Sequence, residues 1–208
     1  MTTLTTRPVL APLHAEALAL IAPLVAGIRV DRLDLPTPCA GWPLRRLLAH
    51  LIGQQYGFAA AARGDGADLA VWADRPVAAG PGAALSVLAG FADSATELVG
   101  AFAAAEARGA LFALPQVLPG HGFPAAQAIG FHLLDTLVHG WDLAATLGVP
   151  FDCPPELAEL TLRIAEQVPS DAGSRGPGHA FAPVRPGGAG APFDGALLLL
   201  GRDPHWRP

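Results

Sequence analysis

Proline and glycine cut this chain into apolar segments of helical length, and no segment between the cuts alternates for long in the way a strand requires. Residues 9 to 32 read as a first apolar-rich helix, kinked at Pro23. The stretch "DLPTPCAGW" breaks it. Pro43 suits the first turn of a second helix, where its missing N–H is harmless, and that helix runs to Arg63, with Gly64 to Gly66 ending it. A third helix spans 82 to 107, where Leu85, Leu88, Phe91, Ala95, Leu98 and Phe102 recur at three and four. After the turn-rich "LPQVLPGHGFP", Pro124 opens a fourth helix that ends at Leu147 with Gly148 as its cap. A fifth spans 154 to 167, Pro169 to Gly190 is irregular, and Phe193 to Leu200 forms one short helix. Four long helices joined by connections that allow antiparallel neighbours predict an all-α four-helix bundle with an additional C-terminal helix and an irregular strap. The expected division is a bundle over 1–168 and a Gly/Pro-rich strap over 169–208, packed on it through "FDGALLLL" and Trp206.

Composition removes several function classes. Of 208 residues 51% are apolar, enough for a real core, but much of that fraction is alanine, the best helix former. Prolines interrupt the longest charge-free run and the stretch 17–28, so no membrane span is indicated. "MTTLTTRPVL" lacks the pattern of a secretory signal, which places the chain in the cytoplasm. A net charge of −5 and no basic cluster beyond Arg45 and Arg46 speak against nucleic acid as a partner. Cys39 and Cys153 form no metal-finger spacing and read as free thiols, each a small buried hydrophobe beside a proline.

The informative segment is "FHLLDTLVHGWDLA", residues 131 to 144. With His132 at zero on a helix turning about 100° per residue, Asp135 lies roughly 60° back, His139 roughly 20° back and Asp142 roughly 80° back. Leu133, Leu134, Leu137, Val138 and Trp141 fall on the opposite half. Such a polar stripe faces either water or a ligand. A solvated face in this chain would carry Arg and Glu, as the fifth helix does, yet the fourth has neither between Phe123 and Leu147.

A bundle site needs a facing helix, and "LLAHLIGQQYGF" offers His50, with Gln54 on its flank. His50, Asp135 and His139 form the candidate ligand set. Two imidazoles and a carboxylate suit zinc, with nickel as a second choice, and leave positions open for water or substrate. His132, Asp142 and Gln54 are candidates for an alternative ligand or for orienting the ligands.

"PTPCAGWPLRRLLAHLIG" (36–53), "LLDTLVHGWDLAATLG" (133–148) and "LLLLGRDPHW" (197–206) resemble the metal-binding, DinB-like bundles related to mycothiol-dependent maleylpyruvate isomerase, and within them an uncharacterised bacterial subgroup. The resemblance implies a metal held by His50, Asp135 and His139, with aspartate where the isomerase pattern has glutamate. It implies mycothiol as cosubstrate, an electrophilic small-molecule substrate, and thiol transfer or thiol-assisted isomerisation. Arg45, Arg46, Arg175 and Arg185 are candidates for holding acidic or sugar groups of such a thiol. The alternative is a non-catalytic metal- or ligand-binding bundle acting as a dimeric partner protein; a third is a purely structural bundle.

Overall fold

The computed structural model describes residues 9–208 apart from 172, 178 and 189; the reading of the extreme N-terminus lies outside the described residues. Helices α1 (Ala11–Ala26), α2 (Leu44–Arg63), α3 (Ala83–Ala107) and α4 (Ala125–Leu147) form the bundle. In it α1 packs on α3 and α4, and α2 packs on α3 and α4. Between α3 and α4 lies a hairpin, β1 (Leu111–Ala113) with β2 (Gly122–Pro124), followed after α4 by α5 (Pro155–Ala165) and α6 (Pro192–Leu199). The first helix ends at Ala26, short of residue 32, because Gly27 closes it and Val30–Arg32 make a separate 3-10 turn. α2 and α4 end on Gly64 and Gly148 in the left-handed conformation, as their sequences predict.

Two features depart from the sequence reading. The hairpin pairs Phe112 with Phe123 and buries both rings, but three residues per strand are too few to show alternation. On α3 the inward stripe is Val87, Phe91, Ser94, Leu98, Phe102 and Ala105, while Leu85 is 73% exposed. Two successive steps of three swing a residue roughly 120° off the face, which removes Leu85 from it. By length and composition α3 could cross a bilayer; its outward side carries Asp93 and Glu97, and Glu97 pairs with Arg63.

α4 is buried along nearly its whole length because it is covered twice. One side lies in the bundle core with Leu44, Leu48 and Phe102, and the other meets α5 and α6 through Leu133, Leu137 and Trp141 against Leu157, Phe193 and Leu197. The C-terminal segment is fastened by Arg175, which is buried and donates to the carbonyls of Val168, Pro169, Ala182 and Leu199. Arg175 is thus engaged in holding the fold rather than free to grip a ligand, while Arg45 and Arg185 make solvent-exposed pairs with Asp34 and Asp203.

Gly140 sets how closely α1 approaches α4. A Cβ there would meet Ile21 Cγ2 at 2.3 Å and the Phe151 ring at 3.1 Å. Gly140→Ala is therefore expected to lower unfolding free energy by about 1–3 kcal/mol, through overpacking beside His139. Chemical denaturation checks this, and an unchanged midpoint would count against the tight approach.

Candidate metal centre

Most of the polar stripe of α4 is turned away from water, with Asp135 partly exposed. His132, Thr136, His139, Asp142 and Thr146 are all buried, and they divide among three sets of partners. Antiparallel packing of α2 on α4 brings His50 to His139, with ring centroids 5.3 Å apart, and Phe58 to His132 at 4.6 Å. Gln54, halfway between His50 and Phe58 on the same helix face, is buried level with Asp135.

One donor atom from each of His50, Asp135 and His139 lies within 4.8 Å of the others. His139 Nε2 is 3.3 Å from Asp135 Oδ1, so the shorter aspartate side chain reaches the imidazole directly. Asp135 Oδ2 is buried without a hydrogen-bond partner. His50 Nδ1 lies 3.3 Å from Asp74 Oδ1, which leaves Nε2 as its free ring nitrogen. Trp42 walls the group, 5.0 Å from the His50 ring and 6.3 Å from the His139 ring, which it stacks nearly parallel. Its loop is pinned by the Pro36–Pro43 bridge and by Thr37 Oγ1 donating to the Trp42 carbonyl at 2.8 Å. The group opens to solvent past the side chains of Asp135 and His50, 29% and 20% exposed. A separate cavity of about 400 Å³ involves Ile52, Tyr56 and Arg75 and touches none of the three donors.

A second set overlaps the first: Cys39, His139 and Asp142 also lie within 4.8 Å of one another. Asp142 Oδ2 is 2.9 Å from His139 Nδ1, and Cys39 Sγ donates to the same oxygen at 3.1 Å. Arg202 grips Asp142 with two bonds, Nε to Oδ1 at 3.0 Å and Nη2 to Oδ2 at 3.1 Å. Cys39 is thus part of a polar cluster, unlike the buried hydrophobe its sequence suggests. Cys153 is only partly buried, packed against the apolar cluster between α4, α5 and α6, and desolvation there pushes its thiol up to about 12.

His132 takes neither ligand position. Its Nδ1 is 2.7 Å from His14 Nε2 and 3.1 Å from Thr136 Oγ1, inside a box of Phe58 and Phe102. Burial lowers His132 to about 4, and it lowers His14 well below the usual histidine range, so the pair is neutral.

Charges at the first set point toward a cation. Burial opposes ionisation of both Asp135 and His139, but each stabilises the charged form of the other: the carboxylate is held below its usual range and the imidazole well above. Burial lowers His50, with Asp135 opposing. Here a proton on His139 does the work a divalent ion would do, and Asp135 Oδ2 still lacks a partner. This donor chemistry fits a zinc-like ion.

Comparison with known proteins assigns the family. The model of the mycothiol maleylpyruvate isomerase N-terminal domain matches residues 14–144, from α1 to the end of the polar stripe. The chain belongs to that family. It is 34% identical over 178 residues to the uncharacterized proteins Rv0738 and MT0763, from two strains of Mycobacterium tuberculosis, covering 83% of this chain and 86% of each relative. The crystal structure of the mycothiol-dependent maleylpyruvate isomerase superposes with a TM-score of 0.54 at 18% identity, over 79% of this chain and 70% of the enzyme. A histidine-to-alanine mutant of that enzyme gives the same TM-score at 17% identity. The match to the mycothiol maleylpyruvate isomerase N-terminal domain ends at residue 144, before Arg202.

His14, Trp42, Asp74 and Arg202 were not singled out by sequence. For Trp42 and Arg202 a signal existed, since both stand inside the resembling motifs "PTPCAGWP" and "GRDPHW".

Proposed function

We propose that the chain is a cytoplasmic enzyme that uses a small thiol, mycothiol or a close analogue, in a transferase or isomerase reaction at a divalent ion held by His50, Asp135 and His139. The observation that carries this reading is the buried, unpartnered Asp135 Oδ2 beside two imidazoles, in a chain of a mycothiol isomerase family. Zinc suits the donor set best and nickel second. A divalent ion there supplies Lewis acidity that favours the thiolate form of a thiol at neutral pH.

The chain's own residues do the rest. Asp135 offsets the positive charge, and Asp142 holds His139 by its Nδ1 so that Nε2 points at the centre. Trp42 shields one side from water, and the exposed Arg46 guanidinium, 4.5 Å over the Trp42 ring, offers a cation to an acidic group on the electrophile.

Zinc-loaded chain supplied with mycothiol is expected to convert a small electrophile, maleylpyruvate being the first to try. His139→Ala should lower kcat/KM by about 100-fold or more. Metal uptake without turnover across a panel of electrophiles would leave the non-catalytic binding bundle as the better reading.

A further inference from the structure

We propose that Arg202, brought in by the C-terminal segment, is the positioning residue that decides which of two overlapping donor sets holds the ion. The inference rests on the reading of His50, Asp135 and His139 as the ligand set. The two sets share His139 through opposite edges of its ring: Nε2 faces Asp135 at 3.3 Å, and Nδ1 faces Asp142 at 2.9 Å. By donor chemistry alone the second set, a thiol, an imidazole and a carboxylate, is at least as attractive to a zinc-like ion, since thiolate is among its preferred ligands. Something other than ligand type must separate them.

The guanidinium of Arg202 separates them. It forks onto both oxygens of Asp142, which is fully buried, and Nη2 also donates to Cys39 Sγ at 3.0 Å. A divalent ion bound to Cys39 and Asp142 would have to share those atoms with a fixed positive charge roughly 4 Å away, in a setting with little water to screen it. No such charge guards the other set. Among the described residues no arginine is hydrogen-bonded to Asp135 or His50. Held by Arg202, the Asp142 carboxylate accepts from His139 Nδ1, and the ring then presents Nε2 to the first set.

Delivery of the guanidinium is built into the end of α6. Phe193, Ala196, Leu197 and Leu200 seat this helix against Leu133, Leu137 and Trp141 of α4. Gly201, at φ 79°, turns the chain where a side chain would collide with Ala182, and Arg202 N–H donates to the Leu197 carbonyl at 2.8 Å. Docking of the segment thereby brings the guanidinium onto Asp142 and Cys39.

The test is titration of the full chain with cobalt(II), which stands in for zinc and reports sulfur ligation by a charge-transfer band in the near ultraviolet. The wild-type chain should take up cobalt without that band, and Cys39→Ser should leave its affinity little changed. Arg202→Met should weaken binding by about 10- to 100-fold at the first set and gain the band, which Arg202→Met/Cys39→Ser loses again. Should Arg202→Met fail to fold, Arg202→Lys keeps the charge without the fork, and is expected to bind more weakly than wild type with no band. A sulfur band in the wild type, or wild-type affinity and spectrum in both Arg202 variants, overturns the proposal. A wild-type chain that takes up no cobalt overturns the ligand assignment itself, and this inference with it.

Discussion

Chain purified after zinc is supplied should carry about one ion per molecule, and His139→Ala should lower that affinity by about 100-fold or more. Loss of a residue that merely orients a ligand costs 10- to 100-fold, so loss of an imidazole ring shared by both donor sets belongs at or beyond the upper end of that range. His50→Ala should fall nearly as far. Its imidazole belongs to the first set alone, so a difference between the two variants reports how far Cys39 and Asp142 can substitute. The pH dependence has a definite sign. Asp135 and Asp142, working against burial, raise His139 well above its ordinary value, so the ion must displace a proton and uptake should strengthen as pH rises through neutrality. Elemental analysis and competition with a chelator at several pH values check this. Uptake that weakens with rising pH, or that survives loss of both histidines, would place the ion elsewhere.

A second large effect should come from the buried pair His14–His132. A base whose folded pKa is lowered binds fewer protons folded than unfolded, so its contribution to stability is present above the unfolded value and lost as pH falls through the folded one. For His132 that window runs from the ordinary 6.5 down to about 4, and it is worth roughly 3 kcal/mol. His14 acts in the same direction. In chain without metal His139 acts oppositely: its raised pKa contributes stability below 6.5 that is lost as pH rises through the raised value. The pair is therefore isolated by comparing wild type with His14→Leu/His132→Phe, whose side chains suit the surrounding Phe58 and Phe102. At neutral pH His14→Leu alone should cost about 1–3 kcal/mol, because it takes away the His132 ring's buried partner, and the double variant should recover most of that loss. Below pH 6 the double variant should outlast wild type in urea. Parallel stability curves from pH 7 to 4 would refute the assignment of both rings as neutral.

The bundle could be read from the chain because its signals are local. Pro43, Gly64, Pro124 and Gly148 act on their own turns, and α2 and α4 begin and end where those residues place them. His50, Asp135 and His139 could be picked out because helix spacing puts them on facing stripes and because α4 lacks the Arg and Glu of a wetted surface. What surrounds them was not legible in the same way. His132 shares the stripe, yet α4 is packed on every side, so a modest angular offset takes it away from His50 and into a pocket of His14 from α1, Phe58 from α2 and Phe102 from α3. Its partner His14 lies 118 positions away with no pattern linking the two. Arg202 and Cys39 meet across 163 positions through a segment whose route is set by Arg175 and Gly201, not by periodicity.

The four carbonyls gathered by Arg175 lie at the start (Val168, Pro169), the middle (Ala182) and the end (Leu199) of a long excursion. Such a clasp works as a non-covalent crosslink: the excursion it closes is released as a single cooperative unit, since the first carbonyl to leave weakens the hold on the rest. Loss of the Arg175 guanidinium is therefore expected to loosen Val168, Pro169, Ala182 and Leu199 together, so Arg175→Met should raise hydrogen exchange around all of these places at once and not at the free end alone.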